Sequence, residues 1–175
     1  MKIAEFHKQL LKRGVSRPYN FKVEITTPTK LINSDWWNKF SISSEIEKIL
    51  EFQCTSTSFP TTNISTSEGL YKTPTGVTYS DLSIDIRCGK DLMEKKFFDA
   101  WYAMTINQDN HLISYLDDIS TVLKLIKLDN NDKIIQTIQY YDVFPKSVSG
   151  LEANHDSGNI DTFKVEFAYR KWKFI

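Results

Sequence analysis

"DLSIDIRCGKDLMEKKFFDAW", residues 81–101, changes its period halfway, and that change decides the fold. Leu82, Ile84, Ile86 and Cys88 alternate with Ser83, Asp85 and Arg87, the two-residue repeat of a strand with one wet face. From Met93 onward the apolar residues move to helical spacing. Met93, Phe97, Trp101 and Met104 make a stripe, with Phe98 and Tyr102 beside it. Asp91 with Glu94 three residues on makes a cap pair, so the pattern predicts a helix over 91–104. A tryptophan at helical spacing among Phe and Met belongs to a core rather than to a base-stacking platform, which makes Phe97 and Trp101 the helix side of the core.

Upstream, "YNFKVEIT" alternates Phe21, Val23 and Ile25 against Lys22, Glu24 and Thr26, a second half-wet strand. Before it, Ile3, Phe6, His7, Leu10 and Leu11 are spaced as one helical face and Gly14 stands at a C-cap position, so residues 3–13 read as a short amphipathic helix. Residues 28–50 set Trp36, Trp37 and Phe40 among polar neighbours. Ser44 and Glu47 would suit a helix cap, but a strand from Glu45 into "EFQCTSTSF" fits as well and is preferred. "PTTNISTSEGLYKTPTGVTYS", residues 60–80, is rich in Thr and Ser, with Gly69, Pro74 and Gly76 as breakers. It reads as a long exposed hairpin arm, on which Ile64, Leu70, Tyr71, Val77 and Tyr79 are the candidate subunit contacts.

Downstream, "ISTVLKLIKL" and "KIIQTIQYYDVFP" are two strands joined by a turn at Asp129, Asn130, Asn131 and Asp132. A loop with the aromatic–Pro pair Phe144–Pro145 follows. After Gly158 the last strand carries Phe163, Val165, Phe167 and Tyr169 on one face. Several strands adjacent in sequence, with one main helix inserted, predict a mainly β single domain over 1–175, an antiparallel barrel or sandwich. Its expected core comprises Phe21, Val23, Ile25, Ile84, Ile86, Phe97, Trp101, Phe163, Val165 and Phe167.

Composition narrows the function. Twenty-two basic residues balance twenty-two acidic ones in 175, so no general attraction to nucleic acid or to an anionic membrane is expected. No run approaches the ~20 apolar residues of a membrane span, and the N-terminus lacks a signal-peptide core. Cys54 and Cys88 fall inside strand patterns and read as buried small hydrophobes rather than a disulfide. His7, His111 and His155 are scattered without ligand spacing, and the Asp129–Asp132 turn lacks the glycine and distal glutamate of a calcium loop. No catalytic, metal or cofactor set is expected, and the sequence holds no phosphate-loop, nucleophile-elbow or zinc-protease motif. The one candidate nucleic-acid patch is Lys164, Arg170, Lys171 and Lys173.

The order of these pieces resembles the tail tube protein family of contractile-tailed, T-even-like bacteriophages. "RPYNFKVEI" is similar to the family's Arg-Pro opening of its first strand, and "FQCTSTSFP" to its Phe-Gln-Cys strand. Residues 81–101 resemble its strand, acidic cap and aromatic-ended helix, and residues 138–172 its C-terminal block. The stretch over 28–50 departs from the pattern as an insertion in the first β-connection. The resemblance implies two orthogonally packed antiparallel sheets closing into a barrel with a flanking helix. It also implies hexameric rings stacked into an inner tube in the virion tail, assembled in the host cytoplasm, as a conduit for DNA ejection. Implied partners are further copies of the chain, tail sheath, baseplate or tube initiator and tail terminator. Tape-measure protein and DNA would pass the lumen without specific binding. A related injection or secretion tube and a baseplate relative share the fold expected here.

Overall fold

The computed structural model describes residues 20–34, 49–106, 111–151 and 160–175. The expected helix over 3–13, His7, Trp36, Trp37, Phe40, the Ser44/Glu47 cap and His155 lie outside these residues. Ten strands are present among the described residues: β1 Phe21–Thr26, β2 Ile49–Phe52, β3 Cys54–Thr57, β4 Thr62–Thr66, β5 Pro74–Tyr79, β6 Leu82–Arg87, β7 Thr121–Leu128, β8 Ile134–Val148, β9 Thr162–Ala168 and β10 Lys171–Phe174. Helix α2 spans Met93–Thr105, and two single-turn helices, α1 Thr29–Ile32 and α3 Leu116–Ile119, flank it.

Every pairing is antiparallel, and three chain segments serve two sheets each. The first sheet runs β2-β1-β7-β8 with β10 on the far side of β8, and the second runs β8-β9-β6-β3. Strand β8 belongs to both. Up to Val143 it pairs with β7, and from Phe144 to Val148 it pairs with β9. The corner is Asp142, whose backbone is left-handed at φ 54°, an arrangement Asp tolerates better than most residues. Opposite it the chain passes from β9 to β10 through Tyr169 and Arg170, and the Arg170 guanidinium lies 2.6 Å from the Asp142 carboxylate. The other corner is Gln53, the single residue between β2, which pairs with β1, and β3, which pairs with β6. Arg87 N–H donates to the Gln53 carbonyl at 2.9 Å. The outermost strands of the two sheets are thus consecutive pieces of one segment, and the sheet closes into a barrel. Strands that change sheets at a bend are how two sheets share a corner without leaving an open edge.

Alternation fills the barrel from both sheets. Val23 and Ile25 of β1, Ile84 and Ile86 of β6, and Phe163, Val165 and Phe167 of β9 are buried, together with Leu123, Leu125, Ile138, Tyr140 and Val143. Phe21, at the start of β1, is half-buried and packs against this cluster from its rim. Helix α2 lays Phe97, Phe98 and Trp101 on it. Phe98 touches Phe163 and Phe167 at ring-centroid distances of 5.8 and 5.9 Å, and Phe52 at 5.0 Å.

Several expectations are corrected. The helix begins at Met93, not 91, and Asp91 does not cap it. Leu92 occupies the N-cap in a left-handed conformation, and Glu94 reaches back to accept the Gly89 N–H at 2.9 Å. The chain has to reverse within a few residues of leaving β6, and the Leu92 N–H to Gly89 carbonyl turn achieves this. Ile119, read as the first residue of a strand, ends α3. The preferred strand from Glu45 is described only from Ile49, and it is broken at Gln53. The Phe144–Pro145 pair lies inside β8, not in a loop. Pro145 is tolerated there because a register shift separates it from Ser147 and because this half of β8 is the edge of the second sheet. Cys54 and Cys88 are free thiols and half-buried rather than fully buried.

Candidate assembly surfaces

Strands β4 and β5 form a sheet of their own, and every residue of both is exposed. Register divides the hairpin into two unlike faces. Ile64 lies opposite Val77 and Thr62 opposite Tyr79 on one face, while Asn63–Thr78 and Ser65–Gly76 make the other. Threonine and valine favour extended backbone. Even so, an isolated two-stranded hairpin is marginal in water, so the arm depends on its root. There the Trp172 indole N–H donates to Thr62 Oγ1 at 3.2 Å, Tyr79 packs on Tyr169 at 5.8 Å, and Ser80 N–H donates to the Thr61 carbonyl at 3.1 Å. Away from the root the same apolar face has no floor. Ile64 and Val77 stay 59% and 54% exposed there, and on the opposite face a Cβ added at Gly76 would meet nothing within 4 Å, so the arm stands clear of the barrel.

The tip is pinned by Ser67 N–H on the Thr73 carbonyl at 2.9 Å and by the two hydroxyls at 2.8 Å. It presents Leu70 at 100% and Tyr71 at 86% exposure. Burying such side chains is worth about 1.5–3 kcal/mol each, so a surface that leaves four of them in water forgoes several kcal/mol that a neighbour could supply. Of the five candidate contacts, Ile64, Leu70, Tyr71 and Val77 are free of the barrel. Tyr79, 39% exposed, is partly committed to its own subunit through Tyr169.

A second surface lies outside the expected arm. The segment leading into α3 exposes Ile113 at 76% and Tyr115 at 84%, with Leu116 beside them. It is held rigidly. Ser114 donates its N–H to the Thr105 carbonyl at 3.1 Å and its hydroxyl to the Met104 carbonyl at 2.8 Å, Ile113 bridges Ile106, and Lys30 pairs with Asp118 at 3.3 Å. The only sequence signal is an apolar run too short for a helix and off the strand period. A third cluster, Ile134, Ile135, Phe174 and Ile175, lies where β8 begins and β10 ends.

Reactive chemistry is sparse. Among the described residues, no three His, Cys, Asp or Glu side chains gather as a metal site, and no helix is long and apolar enough to cross a membrane. Burial pushes the Cys54 thiol up to about 12, and burial first, then Glu94 and Asp161, raises Cys88, so neither is a ready thiolate. Two residues of the candidate basic patch face acids. Lys164 sits opposite Asp85, Arg170 is paired with Asp142, and Lys171 stands 5.1 Å over the Tyr141 ring.

The class defined by this fold and these surfaces is a small closed antiparallel barrel bearing a projecting hairpin. A family profile described as phage tail tube protein matches residues 16–175, and the chain belongs to that family. No curated protein sequence matches it. Its fold is similar to a chain in the sheath/tube terminator of an extracellular contractile injection system in the extended state, at 11% identity and TM-score 0.62 over 91% of this chain and 95% of the other. It is similar also to a chain of the sheath-tube complex of such a system, at 13% identity and TM-score 0.57 over 96% of each. Hcp1 from Flavobacterium johnsoniae matches at 8% identity and TM-score 0.53, over 89% of this chain and 94% of its own. At these identities the likeness is one of fold.

Proposed function

We propose that this chain assembles into hexameric rings that stack into the inner tube of a tail, the conduit for DNA ejection. The observation that carries this reading is the arm: a hairpin on a tail-tube barrel whose apolar face is unsupported by its own subunit. Pairing with a neighbouring copy would remove both the exposed apolar area and the unpaired strand edges. Zero net formal charge suits a wall that passes DNA without gripping phosphates. On this reading sheath, baseplate initiator and terminator are the other partners, tape-measure protein and DNA pass through, the particle is assembled in the host cytoplasm, and the chain has no catalytic role.

A second reading, a tube subunit of a contractile injection or secretion system, is favoured by the fold likeness to chains of such assemblies. Particles purified with this chain would contain DNA under the first reading and lack it under the second.

The test of assembly is negative-stain microscopy with light scattering of the purified protein. Rings or tubes are expected at high concentration, together with scattering masses several times 20.4 kDa. Tyr71→Asp at the arm tip should abolish them while leaving monomer stability within about 0.5 kcal/mol of the parent, as for other exposed substitutions. A parent that remains monomeric at every concentration and salt would end the tube reading.

A further inference from the structure

We propose that the receptor for the arm tip is the 113–116 loop of a neighbouring copy, so that Leu70 and Tyr71 of one subunit pack on Ile113, Tyr115 and Leu116 of the next. This rests on the self-assembly reading above and names the surface the arm would use.

A subunit that associates head to tail must offer two different patches, one on each flank, so the arm's counterpart lies elsewhere on the same chain. Outside the arm, the described residues offer two clusters of exposed apolar side chains: the 113–116 loop, and Ile134, Ile135, Phe174 and Ile175. Their positions across the first sheet separate them. The arm is rooted over β10, the last strand of that sheet, through Trp172 and Thr62. Phe174 packs on the same Trp172 at 5.0 Å, so the second cluster lies on the arm's own flank. The 113–116 loop is tied by the Lys30–Asp118 pair to α1, which follows β1. Strand order places β1 three positions from β10, about 14 Å across the sheet at ~4.8 Å per strand. Bringing the arm flank of one copy against the β1 flank of the next therefore presents the tip with the loop and turns the other cluster away.

The loop suits this task. It is fixed through Ser114 and the Ile106–Ile113 bridge before any partner arrives, so docking orders little that is not already ordered. The charges are complementary. Lys72 follows Tyr71 at the tip, Asp117 follows Leu116 on the loop, and both are exposed, so the apolar contact would be rimmed by an opposite pair that fixes register.

Pairwise cross-linking tests the contact. In a background with Cys54 and Cys88 replaced by serine, copies carrying Leu70→Cys are mixed with copies carrying Ile113→Cys under assembling conditions and treated with a short bismaleimide. A covalent dimer is expected in the mixture and in neither variant alone. Ile113→Asp should prevent assembly, and Ile135→Asp should leave it intact. Cross-linking of Leu70→Cys to Ile135→Cys copies instead, or normal assembly of Ile113→Asp, would overturn the contact while leaving the tube reading in place. A parent that never self-associates would overturn both. Should Ile113→Asp fail to fold, as judged by circular dichroism, the cross-linking pair still decides.

Discussion

Trp101→Ala tests how the helix is held to the barrel. The indole is fully buried, its ring centroid lies 5.9 Å from that of Phe167 and 6.0 Å from that of Phe97, and its Nε1–H donates to the Ile119 carbonyl at 2.8 Å. Truncation loses the transfer energy of a large aromatic and leaves a cavity, about 3–5 kcal/mol together. The Ile119 carbonyl, left without its donor, adds about 1 kcal/mol. At ~2–4 °C per kcal/mol for a chain of this length, the melting temperature should fall by about 10–20 °C. Trp101→Phe separates the two contributions, since it keeps most of the packing and loses only the hydrogen bond and the second ring, so about 1–3 kcal/mol is expected. Urea titrations of the three proteins monitored by circular dichroism measure both differences. A loss below about 1.5 kcal/mol for the alanine variant is smaller than any ordinary aromatic truncation in a packed core, and it would refute the placement of Trp101 there. Equal losses for Ala and Phe would instead assign the whole effect to the Ile119 hydrogen bond and make the ring contacts irrelevant.

The remaining tests concern the corner and the thiols. Asp142→Gly should be within about 1 kcal/mol of the parent because glycine accepts φ 54° freely, whereas Asp142→Val should cost about 2 kcal/mol from a β-branched residue forced left-handed, both read by thermal melting. Cys54, whose pKa rises from 9.0 to about 12 on folding, should resist thiol reagents at pH 8 until the protein is denatured. The sign of its linkage follows from the raised value: the contribution is fully present below pH 9 and is lost as pH rises toward about 12, because only the unfolded chain ionises in that window. Cys54→Val should therefore flatten the alkaline fall in stability by close to one proton, as measured by urea midpoints between pH 8 and 11.

What could be read from the sequence was what repeats. The two-residue alternation of Leu82, Ile84 and Ile86 and the stripe of Phe97 and Trp101 declare burial because each period admits one inward face. The arm is legible for the converse reason: a stretch of Thr and Ser, broken by Gly and Pro, has nothing to bury. The corners are hidden. Gln53 in "EFQCT" leaves the alternation intact, and Asp142 in "YYDVF" only shifts the buried phase from Ile138 and Tyr140 to Val143 and Pro145, so pairing partners far along the chain are needed to reveal that each changes sheets. The reversal at Leu92 is hidden too, because a leucine in left-handed conformation contradicts local preference and is held by the Gly89 turn. Ile113 and Tyr115 mislead in the other direction, since an apolar run announces a core and gives no sign that its own subunit leaves it in water.

On the assembly reading proposed above, folding and assembly would draw on separate sets of side chains, and the arm's root is where they would meet. Tyr79 and Thr62 attach the hairpin to Tyr169 and Trp172, next to the β8 corner, while Ile64, Val77, Leu70 and Tyr71 contribute nothing to that attachment. The barrel's buried core therefore includes no side chain of the arm, as the proposed assembly of preformed subunits requires. The cost is an apolar surface that must stay soluble in the meantime. A hairpin limits that risk, since its apolar face is two side chains wide and its other face, Asn63, Ser65, Gly76 and Thr78, offers a second copy little to stack upon. Replacing Asn63 and Ser65 with isoleucine would put large apolar side chains on both faces of the arm and favour disordered association over a single register. The identity of the polar face is thus as much a condition of ordered assembly as the apolar one.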